Sequence, residues 1–280
     1  MVQGDEVGAE EAWEGAYGVL LEAHHLPTAP RTPEFIELGR RRMRYLRDTD
    51  PPGSWVAEHD GRIVAVAQAH IRGGIWVLAT LGVLPEFQEQ GIGRALLDRT
   101  LAYGDPGAPG AIFASADPRA IHRYIAAGFD LHPAAVAYGP LRKAVTPPPG
   151  VREGGAGDLS IVNEIDLAVR GADRGTDVEW LVSVGNSLLL HEDGGYAVTR
   201  GGRVLMLAAL GEAAATELLL SAFSRCPAGE PADVSWILPE QQWAIRAAGG
   251  AGVPIRIHES VMMRGPWQPE LPYLASGLFG

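Results

Sequence analysis

The segment from Leu78 to Ala102 constrains the fold of this chain more than any other. An apolar strand runs through a short turn into Gln88-Glu89-Gln90-Gly91-Ile92-Gly93, and an amphipathic helix follows directly. The first backbone N–H groups of a helix have no intrahelical acceptor, and the helix dipole favours an anion beside them. Gly91 and Gly93 permit backbone angles and a close ligand approach that a side chain would forbid. The segment therefore predicts a phosphate-binding turn between a strand and a helix.

The spacing within this turn argues against two common nucleotide loops. A Walker loop ends in Gly-Lys-Ser/Thr and a dinucleotide fingerprint reads G-x-G-x-x-G, and neither pattern is present. The pattern here is Q-x-x-G-x-G followed by Arg-Ala-Leu-Leu, and it resembles the acyl-CoA pyrophosphate loop of the GNAT N-acetyltransferases. The alternative is an ordinary strand-to-helix turn whose glycines serve only packing.

A second motif downstream strengthens the resemblance. GNAT enzymes commonly carry N-x-x-A-x-x-x-Y-x-x-x-G-F after a short strand. Ala120, Tyr124, Gly128 and Phe129 stand at those spacings, and Asp117 replaces the asparagine. The resemblance covers residues 55–141, with both motifs at the separation that the family shows.

The resemblance implies acetyl-CoA as cosubstrate and assigns roles to individual residues. Tyr124 becomes the candidate general acid, because a phenol can protonate the thiolate that leaves the thioester; a packing tyrosine is the alternative. Gln88 lacks the charge of the family's commoner arginine, and Asp117 can donate a hydrogen bond only when protonated. The residues implied to bind acetyl-CoA are Leu81 and Val83 on the strand, Gln88, Glu89, Gln90, Gly91, Ile92, Gly93 and Arg94 in the loop, and Asp117 and Ala120 downstream.

The sequence does not identify a general base. Many relatives use a glutamate near the central strand or an ordered water chain, and the strand Ile75–Val83 carries no carboxylate. We therefore favour proton loss through water, with His70 as the side-chain alternative. The candidates for the acceptor site are His70, Trp76, Glu37 and His25 in the first half and Asp173 in the second.

Charge and composition favour a small-molecule enzyme. The chain has 280 residues, 46% hydrophobic residues and a formal net charge of −11, and both halves are acidic. Nucleic acid is therefore not an expected partner, whereas a cationic small molecule is. One cysteine excludes an internal disulfide, and no metal site is predicted. Without a predicted leader or membrane span, we expect a cytoplasmic monomer or homodimer.

The length suggests two domains. Residues 1–145 form the predicted catalytic domain, the Pro-rich segment 146–150 a linker, and residues 151–280 a second domain whose elements repeat the order of the first. Ile245 falls where Tyr124 stands, and the loop after Leu210 lacks the paired glycines, so the second copy is predicted to be degenerate. The predicted fold class is α/β (α+β), with two GNAT-like domains, each a mixed, mostly antiparallel sheet flanked by helices.

These expectations combine into one function and one alternative. The chain is predicted to transfer acetyl from acetyl-CoA to a primary amine of a small cationic molecule, such as an aminoglycoside-like antibiotic, a polyamine or an amino-acid derivative. The alternative is a GNAT-fold module that senses acyl-CoA without turnover.

Overall fold

The computed structural model describes residues 1–23, 31–115, 117–227, 229–267 and 271–280. The chain divides into two compact units. Unit 1 comprises residues 1–71 and 76–108, and unit 2 comprises residues 72–75 and 109–280.

The described residues of unit 1 form three α-helices and three strands. The order along the chain is α1 (Glu6–Ala23), α2 (Pro33–Thr49), β1 (Ser54–His59), β2 (Arg62–Arg72), β3 (Ile75–Val83) and α3 (Ile92–Leu101). The strands lie in the order β1-β2-β3. β2 alternates its side chains between two faces: Val66 packs with Met43 of α2, and Ala65 and Ala67 pack with Leu96 of α3. Helices therefore cover both faces of this sheet.

Helix α1 approaches β3 closely at Gly82. A Cβ atom built at Gly82 would lie 3.3 Å from Trp13 Cα and from Ala16 Cβ, so the absence of a side chain there lets α1 lie against the strand. The start of α2 follows from local sequence. The Thr32 side chain accepts a hydrogen bond from the Phe35 N–H (3.2 Å), and Pro33 fills the first helical position.

Unit 2 contains the remaining elements. In chain order they are β4 (Gly110–Ser115), α4 (Pro118–Ala126), β5 (Asp130–Gly139), β6 (Val151–Gly154), α5 (Leu159–Arg170), α6 (Gly175–Ser183), β7 (Ser187–His191), β8 (Gly195–Arg200), β9 (Arg203–Ala209), α7 (Glu212–Ser224), β10 (Ala232–Ile237), α8 (Gln242–Gly250), β11 (Ile255–Arg264) and β12 (Tyr273–Leu274). The strands lie in the order β4-β11-β5-β10-β9-β8-β7-β6, and β12 pairs with β9. The pairing is antiparallel except between β9 and β10, and the expected mixed, mostly antiparallel sheet flanked by helices is confirmed.

The position of β11 is the main departure from the expected organisation. This strand, from the second half of the sequence, pairs with β4 from Glu259↔Ser115 to Arg264↔Gly110, and with β5 on its other side. The two compact units therefore do not coincide with the sequence halves divided at residues 146–150, because β4, α4 and β5 share a sheet with the second half.

Strand β5 runs without a break over Asp130–Gly139. β5 continues through Pro133 because the chain stays extended there, and Pro133 is the partner of Ser260 in the register with β11.

A buried polar cluster orders the start of α6. The Arg174 guanidinium, fully buried, donates to both Asp166 carboxylate oxygens (3.0 and 2.9 Å) and to the Tyr196 hydroxyl (2.7 Å). One turn later, Asp177 accepts two hydrogen bonds from Arg72 (2.9 and 2.8 Å). These charge-assisted bonds satisfy buried ions that would be costly alone.

Candidate active site

The loop between β3 and α3 has the geometry that its glycines predict. After a 3₁₀ turn at Pro85–Phe87, Glu89 and Gly91 both adopt left-handed backbone conformations, with φ of +64° and +83°. Helix α3 then starts at Ile92, and the Ala95 N–H donates to the Gly91 carbonyl (3.0 Å). Ala95 is the first residue whose N–H is bonded within the helix, so the N–H groups of the three residues before it are the ones that an anion at this end of α3 would meet.

The polar side chains of the loop brace it. Gln88 Nε2 donates to the Val83 carbonyl (2.9 Å), and Gln90 Nε2 donates to the Glu86 carbonyl (3.3 Å). Arg94 is 82% exposed and stands 3.9 Å from Asp98 one turn along. The glutamine at the family's Arg/Gln position thus fixes the loop against β3, and the backbone is left to contact an anion.

The other predicted loop and strand residues lie near this end of α3. Gly93 is buried in the first turn of the helix, and Ile92 is half-buried. Leu81 and Val83 of β3 are half-buried and pack in the cluster that contains Leu96. The residues from Leu81 to Arg94 are therefore gathered on β3, the loop and the start of α3, all within unit 1.

Tyr124 lies in unit 2 on α4, with a side chain only 6% exposed. Burial raises the pKa of its phenol to about 12; the nearby Arg123 lowers it and Asp117 raises it by smaller amounts. The helix ends soon after, where Gly128 takes φ of +86° and the Phe129 N–H donates to the Tyr124 carbonyl (3.1 Å). The Y-x-x-x-G-F motif thus forms the C-terminal end of α4, and the hydrogen bond from Phe129 holds the backbone of Tyr124 in place.

Asp117 is the N-cap of α4. Its carboxylate accepts a hydrogen bond from the Arg119 N–H (2.9 Å) and pairs with the Arg119 guanidinium (2.9 Å). A carboxylate serves this position as well as an amide does, because an N-cap needs only an acceptor. The departure from the family's asparagine therefore preserves the start of the helix. Ala120, also half-buried, lies in the first turn.

The structure places the predicted acceptor residues in different environments. His70 is fully buried on β2, and Trp76 is fully buried with its Nε1 donating to the Thr100 carbonyl (2.9 Å). Both are core side chains, away from any surface that an acceptor could touch. Glu37 is exposed and paired with Arg44, and Asp173 is exposed just before Arg174. His25 lies outside the described residues.

Sequence analysis missed an acidic residue in unit 2, Glu259 of β11. The pKa of its carboxyl is raised to about 7: burial is the main cause and Asp233 adds to it, whereas the Trp236 N–H, which donates to Oε2 (2.7 Å), lowers the pKa. The local sequence HESV gives no sign of burial. Glu259 is buried because β11 pairs with both β4 and β5. A local sequence pattern does not indicate this pairing.

Two other site types were also considered. Among the described residues, no group of three or more His, Cys, Asp or Glu side chains could hold a metal ion. In the same part of the chain, no helix combines the length and hydropathy that crossing a bilayer requires.

Comparison with known proteins identifies a similar family. Residues 20–129 match the model of the Acetyltransferase (GNAT) family, and this range contains both motifs and the elements that carry them. This part of the chain is therefore similar to the GNAT N-acetyltransferases, a family that uses acetyl-CoA as its acyl donor.

Several solved structures have a similar fold over almost the whole length of the chain. A proposed acetyltransferase from Pyrococcus horikoshii is 18% identical, with a TM-score of 0.76 over 97% of this chain and 94% of its own. A GCN5-related N-acetyltransferase from Sphaerobacter thermophilus is 15% identical, with a TM-score of 0.56 and coverage of 99% and 96%. A tandem GNAT protein from the clavulanic acid biosynthesis pathway is 17% identical, with a TM-score of 0.55 and coverage of 95% and 96%. At these identities the likeness concerns the fold alone. No curated protein sequence matches the chain.

Proposed function

We propose that this GNAT enzyme transfers an acetyl group from acetyl-CoA to a primary amine of a small cationic molecule. The observation that carries the proposal is the start of α3. Gly91 is left-handed there, and three backbone N–H groups come before Ala95, whose N–H is the first to be bonded within the helix. This end of a helix suits a pyrophosphate. Arg94, largely exposed beside it, supplies a mobile positive charge in place of the commoner arginine at position 88.

Tyr124 supplies the proton that the reaction needs. The amine nitrogen attacks the thioester carbonyl, a C–N bond forms and the C–S bond breaks. The sulfur that leaves takes the phenolic proton, and a proton from the attacking nitrogen replaces it on Tyr124. Burial supports this role, because a pKa of about 12 keeps the phenol protonated until the thiolate develops.

The acidity of the chain supports a cationic acceptor. A formal net charge of −11 raises the local concentration of cations at the surface. Aminoglycoside-like antibiotics, polyamines and amino-acid derivatives all combine a primary amine with positive charge. If such antibiotics prove to be acceptors, the enzyme would confer resistance. We further propose a cytoplasmic enzyme that acts as a monomer or homodimer.

We also propose that residues 151–280 are a degenerate GNAT copy that binds no CoA. Helix α7 begins after Gly211, and the loop before it has no second glycine at the spacing of Gly91 and Gly93. The residue of α8 that corresponds to Tyr124 in the structure is Ala248 rather than Ile245, because its carbonyl accepts from the Val253 N–H (3.0 Å) after the left-handed Gly252, as the Tyr124 carbonyl accepts from Phe129 after Gly128. Alanine, like isoleucine, has no proton to donate. One CoA per chain is therefore expected in a calorimetric titration, and two would contradict the degenerate assignment.

The test is thiol release from acetyl-CoA with a panel of amines, using wild type, Tyr124→Phe and the control variant Tyr45→Phe at a half-buried position of α2. Tyr124→Phe should lower turnover at least about tenfold, with unchanged CoA affinity, because only the proton donor is lost. Unchanged turnover in Tyr124→Phe would remove the assignment of the acid. Tight CoA binding without thiol release by any amine would favour the sensor alternative.

A further inference from the structure

Glu259 lies on the strand adjacent to the one that leads into the tyrosine helix. In the antiparallel register, Glu259 of β11 stands opposite Ser115, the last residue of β4, and opposite Ala134 of β5. Asp117, two residues after Ser115, caps α4. The carboxylate is therefore held at the end of β4 from which α4 departs. No other acidic side chain lies on β4 or β11.

A strained backbone holds this carboxylate. Trp236 of β10 adopts φ of +52°, a left-handed conformation that is costly for a large side chain, and its N–H donates to Glu259 Oε2 (2.7 Å). The Trp236 indole N–H donates to the Ala114 carbonyl (3.4 Å). Its ring packs edge-on against the Phe113 ring, with 6.0 Å between the ring centroids. Aromatic rings and β4 thus fix the conformation that aims one N–H at the carboxylate.

The carboxylate is nevertheless not part of a salt bridge in the described ranges of the chain. The Arg203 guanidinium pairs with Asp233 (3.1 Å) and acts on Glu259 only through its charge. The Trp236 N–H, the Ser235 hydroxyl and this charge lower the pKa of Glu259, but they do not offset the desolvation of the carboxylate as a direct ion pair would. A buried carboxylate without a permanent ion pair is suited to binding a cation reversibly.

We propose that Glu259 binds the ammonium group of the acceptor amine and takes up its proton before the amine attacks the thioester. This inference rests on the proposed function. The ammonium gives one proton to the Glu259 carboxylate, which later releases it to solvent, and the neutral nitrogen then has the electron pair that forms the C–N bond. β3, where relatives carry a glutamate, has no carboxylate, so a residue of the second half of the sequence would supply the base.

The charges around Glu259 set the pH at which it works. Burial and Asp233 favour the protonated carboxyl, while the Trp236 N–H, Ser235 and Arg203 favour the carboxylate, and the pKa is about 7. β4 contributes no titratable side chain. The remaining titratable groups of unit 2 on the elements packed against β11 are Asp130, His132 and Tyr138 of β5, Arg119, His122, Arg123 and Tyr124 of α4, and Arg246 of α8.

The experiment measures kcat/KM for the best amine of the panel between about pH 5 and about pH 9, where a base with a neutral pKa titrates. Glu259→Gln should lower kcat/KM at neutral pH by about 100-fold or more, remove the acid limb of the profile, and leave CoA affinity unchanged. Glu259→Asp, which keeps the base on a shorter side chain, should restore part of the activity and the acid limb. Glu240→Gln, at an exposed position after β10, is the matched control and should behave as wild type.

A second amine separates a base from a structural residue. Trifluoroethylamine is far less basic than an alkylamine and is largely neutral at pH 7, so it needs no base. The loss in Glu259→Gln should be much smaller with this amine, whereas a structural defect would lower the rate with both amines equally. Equal losses, or a Glu259→Gln profile that keeps the wild-type acid limb, would overturn the inference. Wild-type enzyme that acetylates no amine would instead overturn the proposed function, and this inference with it.

Discussion

At the scale of single residues, burial acts in the same direction on two acids of unit 2. It raises the pKa of Tyr124 to about 12 and that of Glu259 to about 7. The phenol is thereby kept protonated over the whole working range of an enzyme. The carboxyl is brought to the pH at which it exchanges a proton readily. Burial thus favours both proposed roles, that of Tyr124 as the proton donor and that of Glu259 as the base.

The raised pKa of Glu259 predicts a pH-dependent stability. The folded state holds this proton up to about pH 7, and the unfolded chain releases it near the ordinary value of 4.5. Stability from this group is therefore complete below pH 4.5 and is lost as the pH rises through 7. The loss amounts to about 3 kcal/mol, from 1.4 kcal/mol per unit.

Urea unfolding of wild type and Glu259→Gln at several pH values measures this effect. The free energy of unfolding of wild type should fall relative to the variant between about pH 4 and about pH 8, because only wild type carries the titrating group. Parallel pH profiles for the two proteins would show that the carboxyl titrates normally. This measurement needs no substrate.

Asp117 allows a test of the cap on α4. Asp117→Ala removes the acceptor of the Arg119 N–H and should lower the free energy of unfolding by about 1 kcal/mol, with a range of 0.5–2. Asp117→Asn keeps an acceptor at the same place and should stay close to wild type. A loss of the same size in both variants would mean that the negative charge, not the cap, is what stabilises the helix.

At the scale of elements, the loop before α3 depends on backbone conformation more than on side chains. Gly91→Ala should destabilise the protein by about 1–2 kcal/mol, since the left-handed conformation is strained for alanine although the space for its Cβ is open. A displaced loop should also weaken CoA binding by about tenfold, equivalent to 1.4 kcal/mol. Urea unfolding and calorimetric titration with CoA measure the two effects.

Gly155→Ala is the matched control for that variant. Gly155 also has open space around its Cβ, but its φ of −151° is extended backbone that alanine adopts freely. Its substitution should be neutral or slightly stabilising, with CoA affinity unchanged. Equal effects at the two glycines would remove the conformational explanation for the loop.

Elements whose signals are local were predicted well. The expected strand Ile75–Val83 has the bounds of β3, and the expected helix, α3, begins at Ile92, directly after the left-handed Gly91. Helix α4, which carries Tyr124, is likewise defined by local signals: Asp117 caps its start and the left-handed Gly128 follows its end. The loop residues and the tyrosine could therefore be placed from sequence, whereas the packing that buries Trp76 and His70 could not.

Elements whose position depends on distant partners were missed. Nothing within the segment Ile255–Arg264 indicates that it lies between β4 and β5, and only that pairing buries Glu259. The left-handed Trp236 was also invisible, because its conformation is imposed by the Glu259 carboxylate and the Phe113 ring. The sequence therefore predicts the strand, loop and helix around Gly91 better than it predicts the buried surroundings of Glu259.

At the scale of the whole molecule, the sheet of unit 2 predicts that the first half of the sequence does not fold alone. A fragment of residues 1–148 lacks β11, so the facing edges of β4 and β5 lose their hydrogen-bond partners. We expect this fragment to aggregate or to unfold without cooperativity, as followed by circular dichroism and gel filtration. Co-expression with residues 149–280 should restore a soluble complex.

Cooperative unfolding of the isolated fragment would contradict this expectation. Loss of activity in the fragment would not show that the second half binds the acceptor, because the fold itself would be lost. The full chain with Asp173→Ala is the appropriate probe of that question, since Asp173 is exposed and its removal leaves the Arg174 cluster in place. An unchanged KM for the amine would remove Asp173 from the acceptor site.

The insertion of β11 also has a consequence in time. β5 ends at Gly139 and β11 begins at Ile255, so a ribosome that adds about 5–20 residues per second leaves the slot between β4 and β5 open for on the order of ten seconds. During that interval, the β11 segment of a chain emerging from a neighbouring ribosome could fill the slot first. Dense polysomes should therefore yield strand-exchanged dimers of this enzyme more readily than dilute refolding does.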